Sequence, residues 1–322
     1  MKSLLGLLAS ATLGLSLQTQ ATNYSEIFVF GDSLSDTGNL QTFSQDPAVP
    51  SRFTDGPVAV EVLAAQLGLS ITNALHLTGS QQGNNFAVAG AVAIDEDGDE
   101  STFDINLPTQ VNSFLAFNGY QAPQDALYVL MIGGNDIRAA RSEITEGEWG
   151  ARRAAHERIK RATDSFEAQL TKLVAAGAQN ILVVNAPNIG AIPETDIAAE
   201  QVLASADSFR DWIVGKKLED ITAFFSLVYN SRLAIAVDHV EQAFGVDILE
   251  FDLFDYFSDI EDNYQAYGFT NKDDACIYVF SQGGAFNPEC NLSTFVFFDE
   301  IHPTTAVHQR AGAALYHTVV GE

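Results

Sequence analysis

Ser33, His302 and Asp299 are side chains of the types that acyl transfer needs. A serine hydroxyl is a weak nucleophile until a base takes its proton. Histidine titrates near neutral pH and serves as that base when an acid holds its second ring nitrogen. Ser33 lies in Gly31-Asp32-Ser33-Leu34-Ser35-Asp36-Thr37-Gly38-Asn39, directly after the apolar run Ile27-Phe28-Val29-Phe30. Open α/β sheets place their sites at the carboxyl ends of buried strands, although a serine after glycine is also common in ordinary turns. His302 lies in Asp299-Glu300-Ile301-His302-Pro303 after Phe295-Val296-Phe297-Phe298, with Asp299 three residues back and Pro303 fixing the turn. His76, His156, His239, His308 and His317 have no comparable local acid. The lipase elbow Gly-x-Ser-x-Gly occurs nowhere in the chain, which argues against an α/β-hydrolase.

An ester attacked by serine passes through a tetrahedral oxyanion, and each fixed donor aimed at it is worth about 2.7 to 4 kcal/mol. Two polar breaks at the ends of apolar runs could supply such donors. Asn84-Asn85-Phe86-Ala87-Val88-Ala89-Gly90-Ala91 ends in a glycine whose backbone N–H a ligand can approach closely, and Leu130-Met131-Ile132-Gly133-Gly134-Asn135-Asp136 sets an amide just past a strand. With the Ser33 N–H, Gly90 and Asn135 would make three donors. Taken singly, they read first as a turn glycine and a helix-capping asparagine.

Positioning these groups requires alternating strands and helices. Continuous β-branched and aromatic runs at Ile27 to Phe30, Leu127 to Ile132, Ile181 to Asn185 and Asp247 to Phe251 predict strands buried on both faces. Helices are predicted over Pro57 to Leu67, around the apolar stripe Ile159, Ala162, Phe166, Leu170 and Leu173 ending at Gly177, over Ala198 to Phe244, and over Thr305 to Val319. The alternation implies a parallel sheet covered on both sides, in one α/β domain without repeats or a linker.

The 322 residues are 47% apolar and 18% charged, which excludes a disordered chain, and 42 acidic against 16 basic residues leave a formal charge of −26. Such a charge disfavours nucleic acid and anionic bilayers and attracts cations; solubility or a saline habitat would account for it equally. Lys2, the apolar stretch Leu4 to Leu17 and the small residues of Thr19-Gln20-Ala21 predict a signal peptide over 1–21. The mature protein is then 22–322, extracellular or periplasmic, with at most peripheral membrane contact. In an exported chain, Cys276 and Cys290 read as one local disulfide, free thiols being the alternative, and no zinc spacing accompanies them. Asp95-Glu96-Asp97-Gly98-Asp99-Glu100 resembles a calcium loop only partly, because its glycine comes too early, and otherwise reads as a solvated loop. Arg138 to Arg161 carries seven of the 16 basic residues and reads either as a charged helical surface or as an insertion covering substrate. Asn23-Tyr24-Ser25 and Asn291-Leu292-Ser293 are glycosylation sequons, relevant only in a eukaryotic secretory pathway.

Taken in order, the four motifs resemble the SGNH hydrolases, also called the GDSL family of esterases and lipases, over nearly the whole mature chain. Gly31-Asp32-Ser33-Leu34 is similar to the family's first block, Asn85 to Ala91 to its second, Gly133-Gly134-Asn135-Asp136 to its third and Asp299 to Pro303 to its last. Arg52-Phe53-Thr54-Asp55-Gly56-Pro57 resembles a stretch shared by plant and bacterial phospholipase-like members. The resemblance implies a flavodoxin-like three-layer α/β/α sandwich with a central parallel sheet. It also implies Ser33 as nucleophile, His302 as base, Asp299 as its orienter, and Ser33, Gly90 and Asn135 as oxyanion donors, with no metal or organic cofactor. Phe298 stands where relatives often carry tryptophan, and the cysteine pair is similar to that of secreted bacterial lysophospholipases, hemolysins and acyltransferases. The expected substrate is a small-molecule or lipid ester: lysophospholipid, choline or short-chain acyl. Phe224-Phe225, Tyr264 to Phe269 and Phe295 to Phe298 could line its pocket or simply be core. A carbohydrate deacetylase is the alternative, with only two tryptophans to build a sugar platform; a non-catalytic binding module is a distant one.

Overall fold

The structure is a computed structural model that describes residues 24–96, 104–147 and 150–321. The expected signal peptide and its cleavage site, Asn23 of the first sequon, and residues 97–100 of the acidic stretch lie outside the described residues.

Four strands, β1 (Ile27–Gly31), β2 (Leu127–Met131), β3 (Asn180–Val184) and β4 (Ile248–Phe251), pair in that order. All are parallel, with Leu127 opposite both Ile27 and Asn180. Between and after them run α1 (Asn39–Ser44), α2 (Ala59–Gln66), α3 (Leu107–Phe117), α4 (Gly134–Glu146), α5 (Ala151–Ala175), α6 (Pro193–Ala204), α7 (Phe209–Phe244), α8 (Leu253–Asp262) and α9 (Thr305–Val320). Successive strand side chains point to opposite faces, and here each face has its own core. Phe28, Phe30, Tyr128 and Leu130 pack with Phe114 of α3, Phe166 of α5 and Leu233 of α7. Ile27, Val29, Leu127 and Val129 pack with Leu63 of α2 and Leu315 of α9. The result is the expected α/β/α sandwich. β1 and β2, fully buried along their length, are apolar because both faces are covered, whereas β4 carries the exposed Glu250.

A second, three-stranded sheet was not expected. β5 (Asn271–Tyr278) pairs antiparallel with β6 (Ala285–Phe286) and parallel with β7 (Phe295–Asp299). β7 is the run that leads into His302, so the strand bearing the histidine belongs to the small sheet. The Cys276–Cys290 disulfide forms there, with the two Cα atoms 5.0 Å apart and Cys276 fully buried on β5. Closing this short ring constrains the unfolded chain, which is worth about 3 kcal/mol. The Cys276→Ala/Cys290→Ala variant is therefore expected to melt roughly 5–10 °C lower by calorimetry; an unchanged melting temperature would show that the staple contributes nothing.

The long helical region Ala198 to Phe244 resolves into the end of α6 and the whole of α7, separated where the Ser208 side chain accepts from the Asp211 N–H. The described residues of the stretch Arg138 to Arg161 are helical, forming most of α4 and the first part of α5, both packed into the sandwich, and Arg138 at its start lines a cavity beside Ser33.

Candidate active site

The carboxyl ends of β1 and β2 and the turn after β7 converge. His302 Nε2 lies 2.7 Å from Ser33 Oγ, and His302 Nδ1 lies 2.8 Å from each carboxylate oxygen of Asp299. All three residues are buried. Asp299 Oδ1 also accepts the backbone N–H groups of Ile301 and His302, both at 2.8 Å, and Phe298 N–H donates to the His302 carbonyl at 2.8 Å. The tight turn predicted from Pro303 is thus closed by the carboxylate that faces the ring. From the other side the 52–57 stretch braces it: the Phe53 ring centre is 5.1 Å from that of His302, Thr54 Oγ1 donates to the Pro303 carbonyl at 2.9 Å, and Thr305 N–H donates to Asp55 at 2.8 Å. With Nδ1–H donating to Asp299, Nε2 is left as an acceptor for the serine proton.

The turn carrying Ser33 is held by its own neighbours. Asp36 accepts N–H groups from Gly38, Asn39 and Leu40, and also from Ala89 in the second block. Asn39 donates to the Asn85 and Ala87 carbonyls, and Asn85 donates to the Ser35 carbonyl, which locks the first two blocks together. At the strand end, Gln110 of α3 both accepts from Gly31 N–H at 2.9 Å and donates to its carbonyl at 2.8 Å. The N–H groups of Ser33 and Gly90 take no partner among the described residues. Gly90 has φ +87°, in the left-handed region that glycine adopts without cost.

Asn135 sits in the first turn of α4, where the unpaired N–H groups and the helix dipole favour negative charge. The helix starts abruptly because Gly133, at φ +128°, lies flat against Tyr229: a Cβ there would come within 2.3 Å of the ring, and the Tyr229 hydroxyl donates to the Ile132 carbonyl at 3.0 Å. Asn135 Nδ2 donates to the Ala91 carbonyl at 2.9 Å, beside Gly90, and Asn135 Oδ1 accepts from Arg138 Nη1 at 2.8 Å. Sequence reasoning missed Arg138 and its partner Glu194 because they lie 56 residues apart. The one signal, a basic residue three positions after the asparagine on the same helical face, is too common to single out.

Two buried carboxyls stand behind the site. Burial pushes Asp32 up to about 6, against the Leu34 N–H and the charges of His302 and Arg138, which draw it down. Burial pushes Asp136 up to about 7, even though its Oδ2 accepts from Ala93 N–H at 2.8 Å.

An apolar cavity opens beside the serine. Ser33, Asn135 and His302 line one part, and Phe257, Phe297 and Leu315 another. His308, pushed down to about 3 by burial and then by the charge of His302, also lines it as a neutral ring. Of the aromatic segments singled out in the sequence, only Phe297 reaches this cavity. Phe225 packs against His156, 5.6 Å between ring centres, and Tyr267 and Phe269 lie under Arg310. Gly90 is outside its lining.

Compared with known proteins, residues 27–315 match the sequence model of the GDSL-like Lipase/Acylhydrolase family. The chain is similar to Lipase 1 of Photorhabdus luminescens, 29% identical over 56% of this chain, although the match spans only 25% of that lipase. It is 26% identical to a GDSL esterase/lipase of Arabidopsis thaliana over 87% of this chain and 83% of that one. It is also 26% identical to a phosphatidylcholine-sterol acyltransferase of Aeromonas hydrophila, over 88% and 87%.

Proposed function

The chain belongs to the GDSL-like lipase/acylhydrolase family, whose members cleave carboxylic esters, and from that premise we propose that it is a serine esterase acting through an acyl-Ser33 intermediate. The observation that carries this is the unbroken chain from Ser33 Oγ to His302 Nε2, 2.7 Å, and from His302 Nδ1 to Asp299, 2.8 Å. His302 Nε2 takes the serine proton as Oγ bonds to the ester carbonyl carbon. The carbonyl oxygen becomes an oxyanion facing the N–H groups of Ser33 and Gly90 and the Asn135 amide. Collapse breaks the bond to the alcohol oxygen, which receives the proton from His302 and leaves an acyl ester on Ser33. Water then gives its proton to His302 as its oxygen bonds to the acyl carbon, the bond from that carbon to Ser33 Oγ breaks, and Oγ takes the proton back from His302 as the acid leaves; an acceptor alcohol in place of water would give transfer. Asp299 keeps the ring oriented and stabilises its charged form throughout.

The substrate we propose is a lipid-type or short-chain acyl ester, with lysophospholipid and choline esters as the sharper choices. Support comes from the apolar cavity beside Ser33, which suits an acyl chain; among the described residues no tryptophan lines it, Trp212 being on α7 outside the lining. The proposed enzyme is a single domain over 22–322, released after loss of the leader; among the described residues no helix is long and apolar enough to cross a membrane.

A panel of p-nitrophenyl esters of rising chain length, acetylcholine, lysophosphatidylcholine and acetylated xylan, each with a Ser33→Ala control, tests the substrate. Acyl esters with lipid-like or choline alcohols are expected to give the highest kcat/KM. Preference for acetylated xylan by tenfold or more would replace this substrate class with carbohydrate deacetylation.

A further inference from the structure

We propose that Arg138 and Glu194 are positioning residues that fix which face of the Asn135 amide meets the oxyanion and tie that amide to the His302 turn. This rests on the assignment of Asn135 as an oxyanion donor.

An asparagine amide has nearly the same shape when turned by 180°. In one orientation it offers N–H to the oxyanion, and in the other it offers a carbonyl oxygen that repels it. Something at the site must therefore tell oxygen from nitrogen. Arginine carries donors and no acceptor, so at 2.8 Å from Arg138 Nη1 only the Asn135 oxygen is tolerated. A backbone carbonyl accepts and cannot donate, so at 2.9 Å from the Ala91 carbonyl only the nitrogen is tolerated. Both contacts select one orientation, and it leaves one Nδ2 proton uncommitted. The guanidinium charge on Oδ1 also polarises the amide and strengthens the remaining N–H as a donor.

An arginine side chain held only by an amide oxygen would sample many rotamers. Here Glu194 grips it with both oxygens: Nε donates to Oε2 at 2.8 Å and Nη2 to Oε1 in a short contact. Glu194 Oε2 takes a further bond from Arg141 Nη2 at 2.7 Å, and Arg141 Nη1 donates to Thr195 Oγ1 at 2.7 Å. Burial pushes the Glu194 carboxyl up, but its hydrogen bonds and charge pairing with Arg138 and Arg141 outweigh burial and hold it below the usual range.

The clamp reaches both halves of the site. Glu194 lies in the first turn of α6, and its backbone N–H donates to the Glu300 carbonyl at 2.8 Å, one residue past Asp299. The Glu300 carboxylate in turn accepts the N–H groups of Val279, Phe280 and Ser281. Arg138 and Glu194 together thus link the asparagine on α4 to the turn that carries the histidine, and set the spacing between oxyanion donor and base.

The test is a double-mutant cycle on a soluble acyl ester, reading kcat, KM and melting temperature for Arg138→Ala, Arg138→Lys, Glu194→Gln, Asn135→Ala and Arg138→Ala/Asn135→Ala. Asn135→Ala is expected to lower kcat about 10²- to 10³-fold, the cost of one oxyanion donor, and Arg138→Ala about 10-fold, with KM nearly unchanged in both. In the Asn135→Ala background, Arg138→Ala should cost nothing more, because it acts through the amide. Arg138→Lys, which keeps a donor without an acceptor, should recover part of the loss. A residue that only braces α4 against α6 would lower the melting temperature and leave kcat alone. That result, or equal losses with and without Asn135, overturns the proposal. An Asn135→Ala variant with wild-type kcat would instead remove the asparagine from the oxyanion site. Should Arg138→Ala fail to fold, Glu194→Gln in the same cycle decides.

Discussion

Ser33→Ala is expected to lower kcat on every ester the protein cleaves by roughly 10⁵-fold or more, with the melting temperature little changed. The size of the effect follows from covalent catalysis: without Oγ there is no acyl-enzyme, and His302 has no nucleophile within reach of a bound carbonyl. The residual rate should come only from water activated by His302 and from the intact oxyanion donors. Folding is spared because the hydroxyl's partner among the described residues is His302 Nε2, while the turn itself is held by Asp36, Asn39 and Asn85. Steady-state kinetics on a p-nitrophenyl ester beside a thermal melt checks both halves. A variant that retains more than about one per cent of kcat would exclude Ser33 as the nucleophile.

Asp299→Asn is expected to lower kcat by about 10⁴-fold near neutral pH. Asp299 Oδ1 accepts two backbone N–H groups, so an asparagine here must keep its oxygen at that position. Its NH₂ group then takes the place of Oδ2, 2.8 Å from His302 Nδ1, where it competes with the retained oxygen. A donor in that place favours Nδ1 as the acceptor and moves the ring proton to Nε2, where it points at Ser33 Oγ. The base is thus present, in place and in the wrong tautomer. A loss smaller than tenfold, measured as kcat over pH 5 to 9, would show that the carboxylate does not set the tautomer.

The main sheet was legible because its strands are buried on both faces: the apolar runs in β1 and β2 have no polar interruption, and their predicted ends fall within a residue of the observed ones. The site was legible for a different reason. Ser33 follows β1 directly and Asp299 is three residues from His302, so local spacing already carried the geometry. The small sheet was hidden, since β5 begins Asn271-Lys272-Asp273-Asp274, half exposed, with no apolar run to betray a strand. The break before α7 was hidden because helical periodicity continues on both sides of Ser208. The supports were hidden too: Gln110 reaches Gly31 from 79 residues away, and Glu194 reaches Arg138 from 56. Such long-range polar pairs leave no periodic trace in a single sequence.

The −26 charge acquires a local structure. Asp32, Asp136 and Asp299 are buried at the site, and Arg138 and Arg141 stand beside them on α4. Cationic head groups would therefore be drawn to the molecule at long range, while the charged contact at Asn135 is Arg138.

The most direct measurement of the central claim is active-site labelling with a fluorophosphonate, read by intact mass and peptide mapping. One adduct per chain on Ser33, formed in step with loss of esterase activity and absent in His302→Ala, is the predicted result. An adduct on another residue, or esterase activity that survives full labelling of Ser33, would contradict it.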